Sequence, residues 1–306
     1  MGLKPLIRED IKASSGVVGI HQQIEKIYAE LRIMGLQPDD FNLYHTILED
    51  EVRELELRFT QVQEILPMQI FAIRDLTILR LSNIVQLPDE ISQLTQLRLL
   101  EIRRLQSTEI NPNICQLRYL EILIISQSAI TRLPEELTKL AHLRDIDLIH
   151  NQMKKIPEII TQLPNLRYLS LAGFSEHVTS ITDKLSRINH LEKLFLGKFK
   201  KPIFPEIWSG ITSLVQLRNL TISGYSNMDR ELIYVPPEIN NLTQLESLWV
   251  DGAIMCFPDI PDLKKLNELF LFATALHSNR KSILKTRIGV CINPDCPLHN
   301  ETRDLL

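Results

Sequence analysis

Residues 143–166 read LRDIDLIHNQMKKIPEIITQLPNL, and the stretch closes on itself after twenty-three residues, when the opening Leu143 recurs as Leu166. Its apolar side chains stand at Leu143, Ile146, Leu148, Met153, Ile156, Ile160 and Leu163, with Asn151 and Pro157 at the remaining fixed places. Two periods are joined here. The opening L-x-x-I-x-L alternates as a strand does, whereas P-x-x-I-x-x-L steps by three, as a short helix or 3-10 turn does. A strand with a helical return cannot bury its own apolar edge, so such a unit must stack on copies of itself.

The copies are present. Aligned on the first apolar place, repeats start at Val52, Leu76, Leu97, Leu120, Leu143, Leu166, Leu191, Leu217, Leu245 and Leu266. In one of them Leu120, Leu123 and Ile125 form the strand and Leu133, Pro134, Leu137 and Leu140 the return; in another Leu245, Leu248 and Val250 are followed by Phe257 and Pro258. On these residues the chain resembles the leucine-rich repeat family, in its intracellular L-P-x-x-I-x-x-L form found in Ras-pathway scaffolds, plant immune receptors and bacterial effectors. The resemblance covers residues 52–276. It implies an α/β fold, a right-handed leucine-rich-repeat solenoid or horseshoe of about ten repeats with a parallel concave β-sheet. It implies a protein-binding scaffold and leaves the partner unnamed, because one fold carries many functions.

Residues 1–51 lack the pattern. Val17, Ile20, Ile24, Ile27 and Leu31 share one helical face that ends at Gly35. A second helix is expected after Pro38, capped by Asp39 or Asp40, with Phe41, Leu43, Tyr44 and Leu48 buried. So short a segment rarely makes its own core, and the first repeat needs its end covered, so 1–51 reads as a helical N-terminal cap. Residues 277–306 read as a C-terminal cap or tail.

Composition narrows the function classes. The chain has 306 residues, of which 44% are apolar and 24% charged, enough for a continuous core. Its net charge of -4 argues against a surface built for nucleic-acid phosphates. No apolar run approaches a membrane span, and the opening MGLKPLIRED has no signal-peptide core. Gly2 invites a myristoylation reading, but Leu6 stands where that signal needs Ser or Thr. The four cysteines, Cys115, Cys256, Cys291 and Cys296, are too scattered for a disulfide framework and fit a reducing compartment. The N-x-T matches at Asn219, Asn241 and Asn300 are then fortuitous. A monomer is expected in the cytoplasm, or in a host cytoplasm for a bacterial effector.

Within each strand the first, fourth and sixth places point inward, so the third, fifth and seventh face out on the concave side. The first half of that surface mixes charges of both signs, among them Glu54, Glu56, Arg58, Arg80, Glu101, Arg103, Asp145 and Asp147. The second half places Tyr168, Phe195, Trp249, Phe270 and Phe272 at outward positions, beside Lys193 and Lys198. Tyr and Trp are favoured interface anchors because they bury large rigid area at low entropy cost. Repeat length changes in the same half. The units from Leu97 to Leu143 take twenty-three residues each, and those at Leu166, Leu191 and Leu217 take twenty-five, twenty-six and twenty-eight. The extra residues fall after the strands, in 174–181, 199–211 and 225–235, and are expected along one edge.

The ninth place of such repeats favours Asn, whose amide satisfies backbone groups in the turn. Only Asn151 provides it, and Ile84, Leu105, Ser128 and others replace it, so the turns should be less uniform. No histidine stands in a nucleophile context, and no catalytic residue or cofactor is assigned. Asp145 and Asp147 form the one paired-carboxylate arrangement. Lys193, Lys198, Lys200 and Lys201 form a small basic cluster suited to an acidic partner or a solvated face.

The tail offers two thiols and an imidazole, Cys291, Cys296 and His299. A zinc site there needs a fourth ligand such as His277 or Cys256; a strained Cys291–Cys296 disulfide and a simple cap are the other readings. The sequence therefore points to a non-enzymatic protein-interaction module, a scaffold, effector or recognition domain, working through the concave face and inserted edge of its C-terminal half. The expected contact residues are Tyr168, Phe195, Trp249, Phe270, Phe272, Lys193, Lys198, Asp145, Asp147 and Arg103. A metal-dependent or regulatory protein using the tail is the alternative.

Overall fold

Proline starts most of the returns. In the computed structural model, 3-10 turns at Met68–Ala72, Asp89–Gln93, Glu135–Lys139 and Glu158–Gln162 follow Pro67, Pro88, Pro134 and Pro157. Those at Pro112–Gln116 and Pro237–Asn241 begin on proline itself. Proline presets φ and lacks only an N–H that the first turn leaves unbonded. The structure describes residues 15–48, 51–153, 156–172, 185–197, 205–223, 232–256, 258, 260–273 and 288–290.

The strands are β1 (Phe41–Leu48), β2 (Glu51–Gln63), β3 (Ile78–Ile84), β4 (Leu99–Arg103), β5 (Ile122–Ser126), β6 (Asp145–Asp147), β7 (Tyr168–Ala172), β8 (Lys193–Gly197), β9 (Asn219–Ser223), β10 (Leu232–Tyr234), β11 (Ser247–Cys256), β12 (Glu268–Ala273) and β13 (Ile288–Val290). They make one open sheet in chain order, save that β10 pairs only with the far end of β11. From β2 to β12 every neighbouring pair on this path is parallel and in register: Leu55, Leu79, Leu100, Leu123, Ile146, Leu169, Leu194, Leu220, Leu248 and Leu269 stand side by side. All ten are at most 2% exposed and belong to one continuous apolar core between sheet and returns. This is the solenoid that the spacing of the leucines requires.

The ends differ from the middle. Helix α1 (Ser15–Ile33) buries Ile24, Ile27 and Leu31 on the first repeat. It stops where Gly35 adopts φ +83°, with Gly35 N–H donating to Arg32 O and Leu36 N–H to Leu31 O. Glu30 on α1 accepts from Gln69 N–H at 3.0 Å and so caps the first return. The second expected helix is absent. Phe41–Leu48 is instead strand β1, antiparallel to β2 with Phe41 opposite Phe59. Asp39 and Asp40 close a 3-10 turn, with Gln37 N–H bonding the Asp40 carboxylate at 2.7 Å. Only Phe41 of the supposed helical face is buried, whereas Tyr44 and Leu48 are exposed. β2 explains the outcome, because its long unpaired backbone edge is satisfied by a strand and not by a helix. At the other end β13 lies antiparallel to β12.

The ninth-place turns partly keep their polar ladder. Asn151 donates to Ile125 O at 2.7 Å and accepts from Ser128 N–H at 3.2 Å. Ser128 then continues the pattern, accepting from Leu105 N–H at 3.0 Å, so the shorter side chain does part of what Asn does. At Ile84 and Leu105 the place is filled by buried apolar groups, as the sequence implies. One place earlier, Asn83, Arg104, Gln127 and His150 all adopt positive φ of 53–59°. Arg and Gln rarely do so, and the repeated turn imposes it.

The long repeat after β8 carries α2 (Pro205–Thr212) where shorter units have a 3-10 turn. Trp208, counted with the insertions by sequence, is 2% exposed and belongs to the core. Most of the remaining insertion residues lie outside the described residues.

Candidate functional site

The in-register pairing turns the outward strand positions into continuous rows across the concave face. One row runs Glu56, Arg80, Glu101, Ile124, Asp147, Ser170, Phe195, Thr221, Trp249, Phe270. The row beside it runs Glu54, Ile78, Leu99, Ile122, Asp145, Tyr168, Lys193, Asn219, Ser247, Glu268. Alternation of a strand's side chains is enough to assign these rows from sequence.

Over β2–β4 the charges answer one another. Arg80 reaches Glu101 at 3.2 Å and Glu54 at 3.8 Å, Arg103 holds the other oxygen of Glu101 at 2.5 Å, and Arg58 pairs with Glu56. Glu101 is nearly buried between its two arginines. Arg103, expected as a contact residue, is therefore exposed but already engaged.

From β6 onward the pattern changes. Asp145 and Asp147 are half-buried. Burial holds the Asp145 carboxyl above its usual range, against the pull of Arg144 and Lys193. Burial also raises Asp147, against a hydrogen bond from Ile149 N–H at 3.0 Å. The closest cation to Asp145 is the Arg144 guanidinium at 3.9 Å, which Glu121 also engages at 3.0 Å. Among the described residues Asp147 has no ion pair.

The aromatic residues then follow on the next strands. Tyr168 is half-buried beside Asp145, and burial raises its hydroxyl pKa. Phe195 is half-buried, its ring passing over Gly197, where a Cβ would come within 3.0 Å of it. Trp249 is 38% exposed and meets Phe270 with ring centroids 4.2 Å apart. Gly289 of β13 stands opposite Phe270 in the antiparallel pairing. Phe272 lies on β12 in register with Asp251 on β11. Lys193 is exposed between Tyr168 and Asn219, and Lys198 lies outside the described residues. The aromatic residues thus form two neighbouring groups, Tyr168 with Phe195 and Trp249 with Phe270, separated by strand β9. They are set deeper than fully solvated positions, Trp249 excepted.

Cys115 is a core residue, its thiol pushed up to about 11 by burial, which leaves it unreactive. Cys291, Cys296 and His299 lie outside the described residues; among those described no group of three or more His, Cys, Asp or Glu could hold a metal ion. No described helix is long and apolar enough to cross a membrane. Sequence reading missed a second ladder, at the second place of each repeat, where Arg98–Glu121 (2.6 Å), Arg144–Glu121 (3.0 Å), Arg167–Glu192 (3.0 Å) and Arg218–Glu246 (3.2 Å) link adjacent units. The mixture of arginine and glutamate at that place, Arg98, Glu121, Arg144, Arg167, Glu192, Arg218 and Glu246, was visible in the sequence.

Residues 111–235 match the family model described as a leucine-rich repeat region. Over this region the chain is similar to leucine-rich repeat proteins, and its fold is that of a leucine-rich-repeat solenoid. A leucine-rich repeat protein of Leptospira interrogans is 25% identical with a TM-score of 0.56, over 76% of this chain and 66% of its own. The Arabidopsis receptor kinase HAESA, solved in complex with the peptide hormone IDA and the co-receptor SERK1, is 18% identical with a TM-score of 0.52, over 85% of this chain and 50% of its own. This chain thus spans just under two thirds of the first and half of the second. No curated protein matches the sequence.

Proposed function

We propose that this protein is a non-enzymatic recognition module that binds a protein partner on the concave face from β6 to β12. The observation that supports the reading is the change along one row: ion-paired side chains from Glu56 to Glu101 give way to Asp147, Phe195, Trp249 and Phe270. Ion pairs made within a surface must be broken and desolvated before a partner can use them. Partly exposed aromatic rings carry no such penalty and anchor interfaces well. Tyr168, Phe195, Trp249, Phe270 and Phe272 supply the apolar anchors, and Asp145, Asp147, Lys193 and Lys198 the polar selectivity around them; Arg103 sits at the boundary. Peptide binding by HAESA is a precedent for a partner held on this fold. A recognition role fits a single face that gathers partly exposed rings beside acids better than a scaffold role, which calls for several separate surfaces.

The test is affinity capture with identification of the captured protein, comparing the wild type with a Phe195→Ala, Trp249→Ala variant whose fold is checked by its melting curve. Loss of a defined partner from the folded variant is expected. Undiminished capture would overturn the reading.

A further inference from the structure

The chemistry of the partner can be narrowed, on the reading that β6–β12 is the binding face. Asp145 and Asp147 project from one strand between uncharged neighbours, Ile122 and Ile124 on β5 and Tyr168 and Ser170 on β7; one strand further stand Phe195 and Lys193, the latter close enough to act on Asp145. The acids of β2–β4, Glu54, Glu56 and Glu101, have arginines of their own, and Glu268 on β12 accepts from Ser247. Among the described residues Asp147 has none, and Asp145 shares Arg144 with Glu121 at the edge of the usual range.

A second observation comes from Ser170, which is fully buried in the row between Asp147 and Phe195. Its hydroxyl lies close enough to Asp147 and Tyr168 to lower both of their pKa values, yet it completes no hydrogen bond of normal length and angle with either. Buried hydroxyls are ordinarily paired. Two under-compensated carboxylates and one unpaired acceptor beside two aromatic rings describe the complement of a flat cation with several N–H donors.

We propose that this site receives an arginine side chain of the partner protein, its guanidinium bonded to Asp145 and Asp147 and its plane lying against Tyr168 and Phe195. Arginine is preferred over lysine because its fork can engage two carboxylates at once and its plane stacks on rings. A hard metal ion is a poorer fit, since it needs six or more oxygens and two carboxylates begin to supply them.

The experiment titrates the full isotope-labelled chain with N-acetyl-arginine methylamide and with its lysine and citrulline counterparts, following backbone amide shifts by NMR. The arginine probe should give saturable shifts on β6–β8. Neutral citrulline, nearly the same shape, should bind about tenfold more weakly or worse, the size of one lost charge-assisted contact; lysine should fall between them. Asp147→Asn keeps the acceptor for Ile149 N–H and should fold, yet lose most of the arginine response. Equal binding of citrulline, shifts confined to other strands, no saturable shift at all, or an unchanged response in a folded Asp145→Asn, Asp147→Asn variant would each overturn the proposal. The two readings fail separately. Partner capture lost with Phe195→Ala, Trp249→Ala but retained at full affinity by Asp145→Asn, Asp147→Asn removes the arginine site and leaves the binding face. Capture that survives the aromatic variant removes the binding face, and with it the partner-borne arginine.

Discussion

The two halves of the concave face share one backbone and one core, and differ in what their outward side chains do. From β2 to β4, Glu54, Arg80, Glu101 and Arg103 form a connected set of ion pairs that bridges adjacent strands. From β6 to β12, Asp147 lacks an ion pair among the described residues, Ser170 lacks a hydrogen bond, and the rings of Trp249 and Phe270 lean on each other in partial exposure. The same register creates both situations. Opposite charges in adjacent strands satisfy one another, whereas like groups or lone acids in adjacent strands are left for something outside the chain. A face of one kind lends itself to stability and solubility, and a face of the other kind to binding.

The sharpest way to break this comparison is to ask whether the core beneath the two halves is truly one. Leu148→Ala and Leu220→Ala remove fully buried side chains, and each should cost about 2 to 5 kcal/mol of folding stability in chemical denaturation. A much smaller loss at Leu220 would mean that the second half is loosely packed, and that its exposed rings reflect poor packing. Next in size is the effect on binding of Phe195→Ala and Trp249→Ala, each expected to weaken partner affinity by about 2 kcal/mol or more. Their stability should change less than that of the leucine variants, because both rings are only partly buried.

Glu101→Ala tests the opposite half. It strips Arg80 and Arg103 of a nearly buried partner and should cost on the order of 1 to 3 kcal/mol of stability while leaving partner affinity unchanged. A loss of affinity instead would extend the binding face into the ion-paired half.

The smallest effect has the opposite sign. Burial raises the folded-state pKa of Asp147 above the unfolded value of 3.8, so the folded protein takes up this proton more readily than the unfolded chain. Stability from this group therefore rises as pH falls through the raised pKa toward 3.8, and at neutral pH the ionised carboxylate is a liability. Asp145 carries the same sign. The groups acting on the pair are Glu101, Arg103, Glu121, Arg144, Arg167 and Lys193, in addition to Tyr168 nearby. Asp147→Asn should raise the melting temperature slightly at neutral pH, with the gain vanishing in acid. A fall in melting temperature at neutral pH would show that the carboxylate holds the structure together, and would remove the contrast with Glu101.

How much of this was legible in the sequence follows from how far apart the deciding residues lie. The spacing of Leu143, Ile146 and Leu148, and of Pro157, Ile160 and Leu163, determined strand, return, core and the outward rows, because alternation and threefold stepping are local and are repeated until chance is excluded. The presence of Phe195 and Trp249 on the outward rows followed from the same count. Tertiary structure decided the rest. Phe41–Leu48 became a strand because β2 offered an unpaired edge, which no pattern within those eight residues records. By sequence Arg80 is one charge in a mixed face; register places it between Glu54 and Glu101, residues more than twenty positions away on either side. Ser128 inherited part of the work of Asn151 because the turn brought Leu105 N–H to it. Gly197 matters only because the ring of Phe195 comes to rest over it. Periodicity reports which side of the chain is buried; which neighbour meets a side chain is set by register between repeats, and among the described residues it is the neighbour that leaves Asp147 without an ion pair and the Ser170 hydroxyl without a hydrogen bond while Glu101 is held twice.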